Sequence, residues 1–473
     1  MIFSSVEFFA FFAAVLLFLS LAKGQHTKKL FLLAASYFFY GYWDWRFTFL
    51  MLAMTVVNYA LGQVVEQSGS QVVKRLGLWS AIAFDLGVLG FFKYYNFFIE
   101  SANGVLRSLG MATSSSSGLS TLEIILPVGI SFITFQVMAY VTDIYRGVTK
   151  SADTFWDFAL LTAFFPQLVA GPILKAKQFL PELNKKIEIK PQNLLLGMQL
   201  FLLGMFRKIV IADRLALYVD SVFDQPQDFS SATIWLAVIA YAIQIYCDFS
   251  GYSDMAIGAA KCLGYDIPIN FNIPYLSRSI TEFWRRWHIS LSTWLREYLY
   301  IPLGGNRKGK VRQYLNLWLV MLIGGLWHGA SWNFVLWGAL HGTALAVHKF
   351  YADYVRSHIK LPPLIYNALM WAVTFLFVCT TWVLFRATDF SAAFVVLQKM
   401  YTFVPSGGIS WYSTGLLIAI PGIFIADTLG SWLNRGRFIR LNRFSHRFWL
   451  SFWLLGLLFL APQNPQPFVY FQF

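Results

Sequence analysis

The chain contains little charge. Only 13% of its 473 residues are Asp, Glu, Lys or Arg, whereas 57% are hydrophobic and 19% are aromatic. An average soluble domain has about 25% charged residues. Apolar runs of bilayer length recur along nearly the whole sequence, which leaves no room for a large soluble domain. These features predict a single integral-membrane domain over residues 1–473, of the all-α polytopic class.

Cysteine is also scarce. Cys247, Cys262 and Cys379 lie in or next to apolar segments, and no C-x-x-C spacing occurs. This pattern indicates neither a disulfide framework nor a structural zinc site. We therefore expect three small buried hydrophobic side chains, no metal site and no permanently bound cofactor.

Several catalytic signatures are missing. The sequence has no G-x-S-x-G nucleophile elbow, no G-x-x-x-x-G-K-[ST] phosphate loop and no H-E-x-x-H zinc helix. Neither His288 nor His328 is followed by the Asp of the His-x4-Asp arrangement found in many soluble acyltransferases. Without a Ser or Cys nucleophile in a recognisable setting, any group transfer would proceed by direct attack assisted by a base.

The apolar runs predict about twelve transmembrane helices. The first run lacks the basic n-region and the cleavage site of a signal peptide, so we expect it to be retained. The predicted spans are 6–22, 30–43, 47–65, 77–99, 123–144, 192–212, 231–249, 312–328, 332–349, 364–386, 414–431 and 447–461.

The net charge of +14 is distributed unevenly across these spans. Alternate loops on one side hold 29 of the 37 Lys and Arg residues, and the opposite loops hold five. This asymmetry follows the positive-inside rule, so both termini are predicted to be extracytoplasmic and the basic side cytoplasmic. No nucleic-acid recognition module is visible, which argues against a nucleic-acid partner. The basic excess instead predicts contact with the lipid bilayer.

Two segments on the basic side depart from simple spans. In 155–183, Pro166, Gly171 and Pro172 interrupt an apolar run and predict a re-entrant or interfacial helix pair. The second segment is the stretch FWRRWHISLSTWLREYLYIPL within 250–313. It predicts one amphipathic interfacial helix that ends at Gly304 and Gly305. Its expected headgroup anchors are Trp284, Trp287 and Trp294.

His328 ends a predicted span, with Gly324, Gly325 and Gly329 beside it. The glycines would allow backbones or a substrate to approach closely. A neutral imidazole there can take a proton from a hydroxyl group as it attacks an acyl carbon. The alternative is a structural histidine that bonds a carbonyl of a neighbouring helix.

His288 lies beside Arg285 and Arg286, where a solvated interfacial face is the simpler interpretation. His341 and His348 are two helical turns apart, a spacing that favours packing or a helix-end contact. Because His288 precedes the span that His328 ends, we expect the two as separate stations on a path across the membrane.

Asp248 and Asp254 stand where a predicted span meets the basic side. A carboxylate at membrane depth costs about 2.5–3.5 kcal/mol on insertion scales, so such residues usually pair or function. Pairing with Arg285 or Arg286 is the simpler expectation. A role in orienting a catalytic group is the alternative.

Several stretches together resemble the membrane-bound O-acyltransferase family, in particular the bacterial branch that includes alginate O-acetylation. They are LPVGISFITFQVMAYVTDIYRG, FFPQLVAGPI, IYCDFSGYSDMAIG, NFNIPY, EFWRRWHISLSTWLREYLYIPLGGNR, GLWHGASWNFVLWGALHG and the terminal FVYFQF. The resemblance covers nearly the full length. It implies that His328 is catalytic and that His288 is a second functional position. It also implies an architecture of about 11 to 12 transmembrane helices, with re-entrant and interfacial helices around a central tunnel or waist.

The resemblance further implies a reaction in a bacterial inner membrane. An acetyl group would pass from a cytoplasmic thioester, acetyl-CoA or another acyl carrier, to an extracytoplasmic polysaccharide. Alginate is the leading acceptor, and periplasmic or extracellular acetyltransferases would be partners. Acetylation of peptidoglycan or cellulose and D-alanyl transfer to teichoic acid remain alternatives, as does a non-catalytic acyl conduit.

Overall fold

The computed structural model describes residues 1–110, 119–169 and 171–402, together with 422, 425, 451, 453–459, 466 and 468. The long regular elements in these ranges are helices, which confirms the all-α class. Five of the described helices are long and apolar enough to cross a membrane. They are Arg46–Gln67, Gln71–Ser108, Pro191–Asp224, Ser231–Cys262 and Pro363–Arg386.

The first of two compact units comprises residues 1–169 and 173–189. Its helices are α1 (Val6–Leu21), α2 (Gln25–Gly41), α3 (Arg46–Gln67), α4 (Gln71–Leu89), α5 (Tyr95–Ser108), α6 (Ile130–Tyr145), α7 (Phe155–Ala163), α8 (Phe165–Leu168) and α9 (Ala176–Leu183). A π-helical turn at Gly90–Tyr94 joins α4 to α5. The helix observed in the predicted span 123–144 is shorter than that span, because it begins at Ile130. Gly129, directly before it, has a φ of +74°.

The interrupted segment 155–183 forms three short helices, α7 to α9, so the prediction of a helix pair was wrong in number. Two glutamines, Gln136 of α6 and Gln167 of α8, form a hydrogen-bonded pair that provides a donor for a backbone carbonyl near the break. Gln136 Nε2 donates to the carbonyl of Leu161 at 2.8 Å, and Gln167 Nε2 donates to Gln136 Oε1 at 2.9 Å. Buried backbone breaks need such partners because no water reaches them.

The second unit comprises residues 171–172 and the described residues from 190 onwards. Its helices are α10 (Pro191–Met205), α11 (Asp213–Asp224), α12 (Ser231–Cys262), α13 (Ile280–Arg286), α14 (Ile289–Leu295), α15 (Lys310–His328), α16 (Trp332–Phe350), α17 (Pro363–Arg386) and α18 (Phe390–Thr402). π-helical turns at Phe206–Ala212, Arg296–Tyr300 and Tyr351–Val355 interrupt or extend these helices.

Helix α12 is longer than predicted, because the expected span ended at residue 249 and the helix continues to Cys262. Most of its polar residues are buried against protein, among them Gln244, Asp248 and Ser253. It packs closely against α10 through glycines. A Cβ on Gly258 would lie 2.5 Å from the carbonyl oxygen of Gly197, and one on Gly251 would lie 2.6 Å from that of Gly204. Small residues permit this backbone contact between membrane helices.

The prediction of one amphipathic helix with interfacial anchors was wrong. The segment breaks at His288 into α13 and α14, and both short helices pack into the unit. Trp284, Trp287 and Trp294 are buried, with at most 7% of each residue exposed. Gly304 and Gly305 do turn the chain, with φ of +108° and +56°.

Two predicted spans lie beyond the continuous ranges. The span 414–431 falls outside the described residues except for Gly422 and Ile425, which are helical. Of 447–461, residues 451 and 453–459 are described, and these are helical too. The central tunnel and the single-domain organisation stay predictions.

Candidate active site

His288 and His328 are neighbours, and their ring centroids lie 6.3 Å apart. His288 stands between α13 and α14, and His328 is the last residue of α15. Both are buried, with 0% and 2% of the residue exposed. The expectations of a solvated His288 and of two separate stations were therefore wrong, because the break before α14 carries His288 into the interior.

Aromatic rings enclose the two imidazoles. The His328 ring contacts Trp327, Trp337 and Phe385 at centroid distances of 5.1, 5.0 and 5.4 Å. The His288 ring lies 4.7 Å from Phe249 and 5.8 Å from Trp327. Such a surrounding limits the access of water, which strengthens polar interactions and suppresses hydrolysis of a reactive acyl group.

The backbone of His288 is in the left-handed region, with φ of +42°. The NFNIPY motif (270–275) clamps this turn from both sides. Before the turn, the Asn272 N–H donates to the carbonyl of Arg286 at 2.9 Å. After it, the Ile289 N–H donates to the Asn270 carbonyl at 2.9 Å, and Ser290 donates its N–H and hydroxyl to Asn270 Oδ1 at 3.2 and 2.9 Å.

The clamp holds the backbone of His288 in one conformation, and burial keeps its ring uncharged. His288 lies outside the candidate membrane spans, and its burial lowers its pKa to about 3. Burial disfavours the charged imidazolium in a medium of low polarity. The ring is therefore neutral at physiological pH, with one nitrogen able to donate a hydrogen bond and one able to accept.

Helices α15 and α16 meet with their backbones in contact near His328. A Cβ on Gly325 would overlap the carbonyl oxygen of Phe334 and would lie 2.9 Å from the Cα of Gly338. A Cβ on Gly329 would overlap the Phe334 ring. The expected close approach is thus confirmed at Gly325 and Gly329. A Cβ on Gly324 would meet, among the described residues, the Leu295 side chain alone, at 3.2 Å.

The acidic residues of α12 pair with cations that sequence reasoning left unassigned. Lys208 Nζ lies 2.7 Å from Asp213 and 2.6 Å from Asp248, and all three side chains are at most 3% exposed. Arg207 pairs with Asp254. The expected pairing with Arg285 or Arg286 was wrong, and Arg286 pairs with Glu282 at 2.7 Å instead. Asp248 directly precedes Phe249, whose ring contacts His288, so this ion pair lies one residue from the wall of the site on α12.

His341 and His348 hold neighbouring helices, as the packing interpretation predicted. Trp284 Nε1 donates to His341 Nδ1 at 3.2 Å, and His348 Nδ1 lies 2.8 Å from Thr281 Oγ1. The three cysteines are buried and form no disulfide. The structure adds Asn270, Phe249 and Lys208 to the site. Their signals in the sequence were the NFNIPY motif for Asn270, the IYCDFSGYSDMAIG motif for Phe249, and for Lys208 its position within a predicted span.

Two buried imidazoles side by side in an aromatic enclosure suit proton transfer during an acyl exchange. Comparison with known proteins gives this chemistry its class. The model of the MBOAT, membrane-bound O-acyltransferase family, matches residues 154–388. That range contains both histidines, the Asn270 clamp and the Lys208 ion pairs.

Curated relatives extend the similarity to most of the chain. The probable alginate O-acetylase AlgI of Pseudomonas aeruginosa is 42% identical over 404 residues, which cover 85% of this chain and 75% of the relative. The peptidoglycan O-acetyltransferase of Helicobacter pylori is 40% identical over 406 residues, 80% of this chain and 75% of that protein. The teichoic acid D-alanyltransferase of Streptococcus thermophilus is 28% identical over 242 residues, 46% of this chain and 56% of its own length. The chain therefore belongs to the membrane-bound O-acyltransferase family and is a multi-pass membrane acyltransferase.

Proposed function

We propose that this protein transfers acetyl groups from a cytoplasmic thioester, acetyl-CoA, to an extracytoplasmic polysaccharide, with alginate as the leading acceptor. The observation that carries this proposal is the pair of buried imidazoles at 6.3 Å within aromatic walls. The acceptor is suggested by the P. aeruginosa relative, whose similarity covers 85% of the chain.

His328 is the proposed general base. A hydroxyl oxygen attacks the thioester carbonyl carbon while the imidazole of His328 takes the hydroxyl proton. The carbon–sulfur bond then breaks, and the departing sulfur receives the proton, so that an ester and a thiol are formed. Because the enclosure is buried, the charges that develop during the attack act in a medium of low polarity.

His288 is the proposed second functional residue. Its neutral ring offers one N–H, which can donate to the thioester carbonyl oxygen as negative charge develops there. The Asn270 clamp holds the backbone from which that ring projects. Preorganised donors of this kind contribute more than flexible ones because they need no reorganisation during the reaction.

The charge distribution supports the direction of transfer. A CoA thioester is anionic, and the loops that hold 29 of the 37 Lys and Arg residues are assigned to the cytoplasmic side. The proposed location is a bacterial inner membrane, with both termini on the extracytoplasmic side. Periplasmic or extracellular acetyltransferases are the proposed partners that complete delivery to the polymer.

Peptidoglycan is the second candidate acceptor, because the H. pylori relative is nearly as similar as the alginate relative. D-alanyl transfer is less favoured, since the S. thermophilus relative is similar over only 46% of this chain. The polymer that loses acetyl esters on deletion of the gene identifies the acceptor directly.

The experiment that tests the catalytic proposal compares wild type, His328→Ala and His288→Asn in inverted membrane vesicles, with protein levels matched. Acetyl-CoA is added outside, and the release of free thiol is followed together with the ester content of the polymer. Wild type should release thiol and His328→Ala should not. Equal thiol release by His328→Ala and wild type would refute a catalytic His328 and favour an acyl conduit that serves a partner enzyme.

A further inference from the structure

Among the described residues of this unit, His341 is a third buried histidine besides His288 and His328, and both of its ring nitrogens are engaged. Its exposed fraction is 0%. Trp284 Nε1 lies 3.2 Å from its Nδ1, and Thr381 Oγ1 lies 3.0 Å from its Nε2. The residue therefore connects three helices: α13 through Trp284, its own helix α16, and α17 through Thr381.

The hydrogen bonds run in one direction only. An indole N–H can donate but cannot accept, so Nδ1 of His341 accepts from Trp284 and the ring proton is on Nε2. That proton is donated to Thr381 Oγ1, whose own hydroxyl donates to the carbonyl of Val378 at 2.9 Å. Because its accepting nitrogen is occupied, His341 is a neutral imidazole that does not serve as a base.

The same ring touches the walls of the site. Trp337 precedes His341 by one helical turn, and their rings are 4.5 Å apart. On its other side Trp337 contacts the His328 ring at 5.0 Å. Trp284, the hydrogen-bond donor, lies four residues before His288 on the helix that leads into the left-handed turn. Trp337 thus lies between His341 and His328, and the short helix α13 links His341 to His288.

We infer that His341 is a positioning residue for the acyl transfer proposed above. Its hydrogen bonds hold α13, and thereby His288, while its ring supports Trp337 against His328. This inference rests on the proposed function of the two histidines. A displacement of about 1 Å in a reacting group can lower the rate about 100-fold, so the loss of His341 should act on turnover.

The same helix provides a matched control. His348 lies two turns further along α16, is half-buried, and ties α16 to α13 through Thr281 at 2.8 Å. It therefore makes the same kind of helix contact as His341, away from Trp337. Thr281 lies seven residues before His288, whereas Trp284 lies four, and His341 also contacts Trp337, so loss of the His348 bond should act on turnover less than loss of His341.

The experiment measures kcat and KM for thiol release from acetyl-CoA in inverted membrane vesicles, which retain partner proteins. His341→Leu removes both bonds and should lower kcat about 10- to 100-fold, with KM for acetyl-CoA within about twofold of wild type. His341→Gln should recover most of kcat, because its amide can accept from Trp284 and donate to Thr381. His348→Leu should keep kcat within about twofold of wild type.

Three results would overturn the inference: wild-type kcat in His341→Leu, equal losses in the two leucine variants, or no recovery with glutamine. Trp284→Phe provides a second route if His341→Leu does not fold, since it deletes the indole N–H together with part of the ring and should also lower kcat. Wild-type activity in that variant would count against the inference. His328→Ala separates the two proposals. If it is inactive while His341→Leu is fully active, only the positioning role fails; if it is active, the proposed function fails.

Discussion

The imidazole rings of His288 and His328 lie 6.3 Å apart although 40 positions separate the residues in sequence. The left-handed turn at His288 and the backbone contact of α15 with α16 bring them together. A single enclosed pair differs from two stations on a path, because one acyl group can meet both rings at once. Substitution of the residues that hold the turn and the helix contact should therefore affect activity, as substitution of the histidines should.

Replacement of Asn270 should loosen the turn at His288. In Asn270→Ala, Ser290 loses an acceptor for two hydrogen bonds, and a buried donor left unpaired costs about 1–3 kcal/mol. We expect a lower melting temperature in detergent and reduced thiol release. Asn272→Ala is the control, since the exposed Asn272 contributes its backbone N–H, which alanine retains. Equal effects of the two substitutions would contradict the clamp.

Adjacent glycines in α15 should differ sharply in their tolerance of a methyl group. In Gly325→Ala the new Cβ would overlap the Phe334 carbonyl and press on Gly338, whereas in Gly324→Ala it would meet the flexible end of Leu295 at 3.2 Å. Overpacking of this kind costs about 1–3 kcal/mol. Gly325→Ala should lower the melting temperature and the activity, and Gly324→Ala should leave both near wild type. A tolerated Gly325→Ala would refute the close contact.

Removal of Lys208 should leave two buried carboxylates without their cation. Breaking a buried ion pair from one side costs about 3–5 kcal/mol, so Lys208→Met should fold poorly. The triple variant Lys208→Met, Asp213→Asn, Asp248→Asn removes all three charges and should recover much of the folded yield, measured by gel filtration. Lys261→Met, which breaks a more exposed pair with Asp266, is the control. Failure of the triple variant to improve on the single one would contradict the charge argument.

Acid should destabilise the wild type partly through His288. The unfolded chain binds a proton there below about pH 6.5, whereas the folded protein binds it only near the lowered pKa of about 3. The unfolded state thus takes up more protons, so the stability present at pH 7 falls as the pH decreases towards 3. Between pH 7 and pH 5 the melting temperature of the wild type should fall further than that of His288→Asn. Parallel curves would show that His288 is not held neutral.

Much of the fold was predictable because bilayer spans carry a strong apolar signal. The helices Arg46–Gln67 and Pro363–Arg386 begin and end close to the predicted limits. The extension of α12 to Cys262 was missed, because Asp248 and Asp254 resemble a membrane boundary until Lys208 and Arg207 are known to pair with them. Pairing partners far apart in sequence cannot be derived from local composition.

At the site, the choice of His288 and His328 came from their motifs, but their relationship did not. A continuous run of aromatic and basic residues around His288 favours an amphipathic helix at the interface. The break arises from tertiary hydrogen bonds to Asn270 and Asn272, which outweigh the helical preference of the segment. The role of His341 was equally hidden, since its partners Trp284 and Thr381 lie 57 and 40 positions away.

The positive φ of His288 also limits which substitutions the fold tolerates there. One base change converts a histidine codon to Tyr, Asn, Asp, Leu, Pro, Arg or Gln. Among these, asparagine and aspartate accept left-handed backbone most readily, and aspartate would bring a charge into an apolar enclosure. Natural variants that keep the fold but lose the imidazole should therefore converge on asparagine. A random mutagenesis screen for folded, inactive protein should recover that same codon change first.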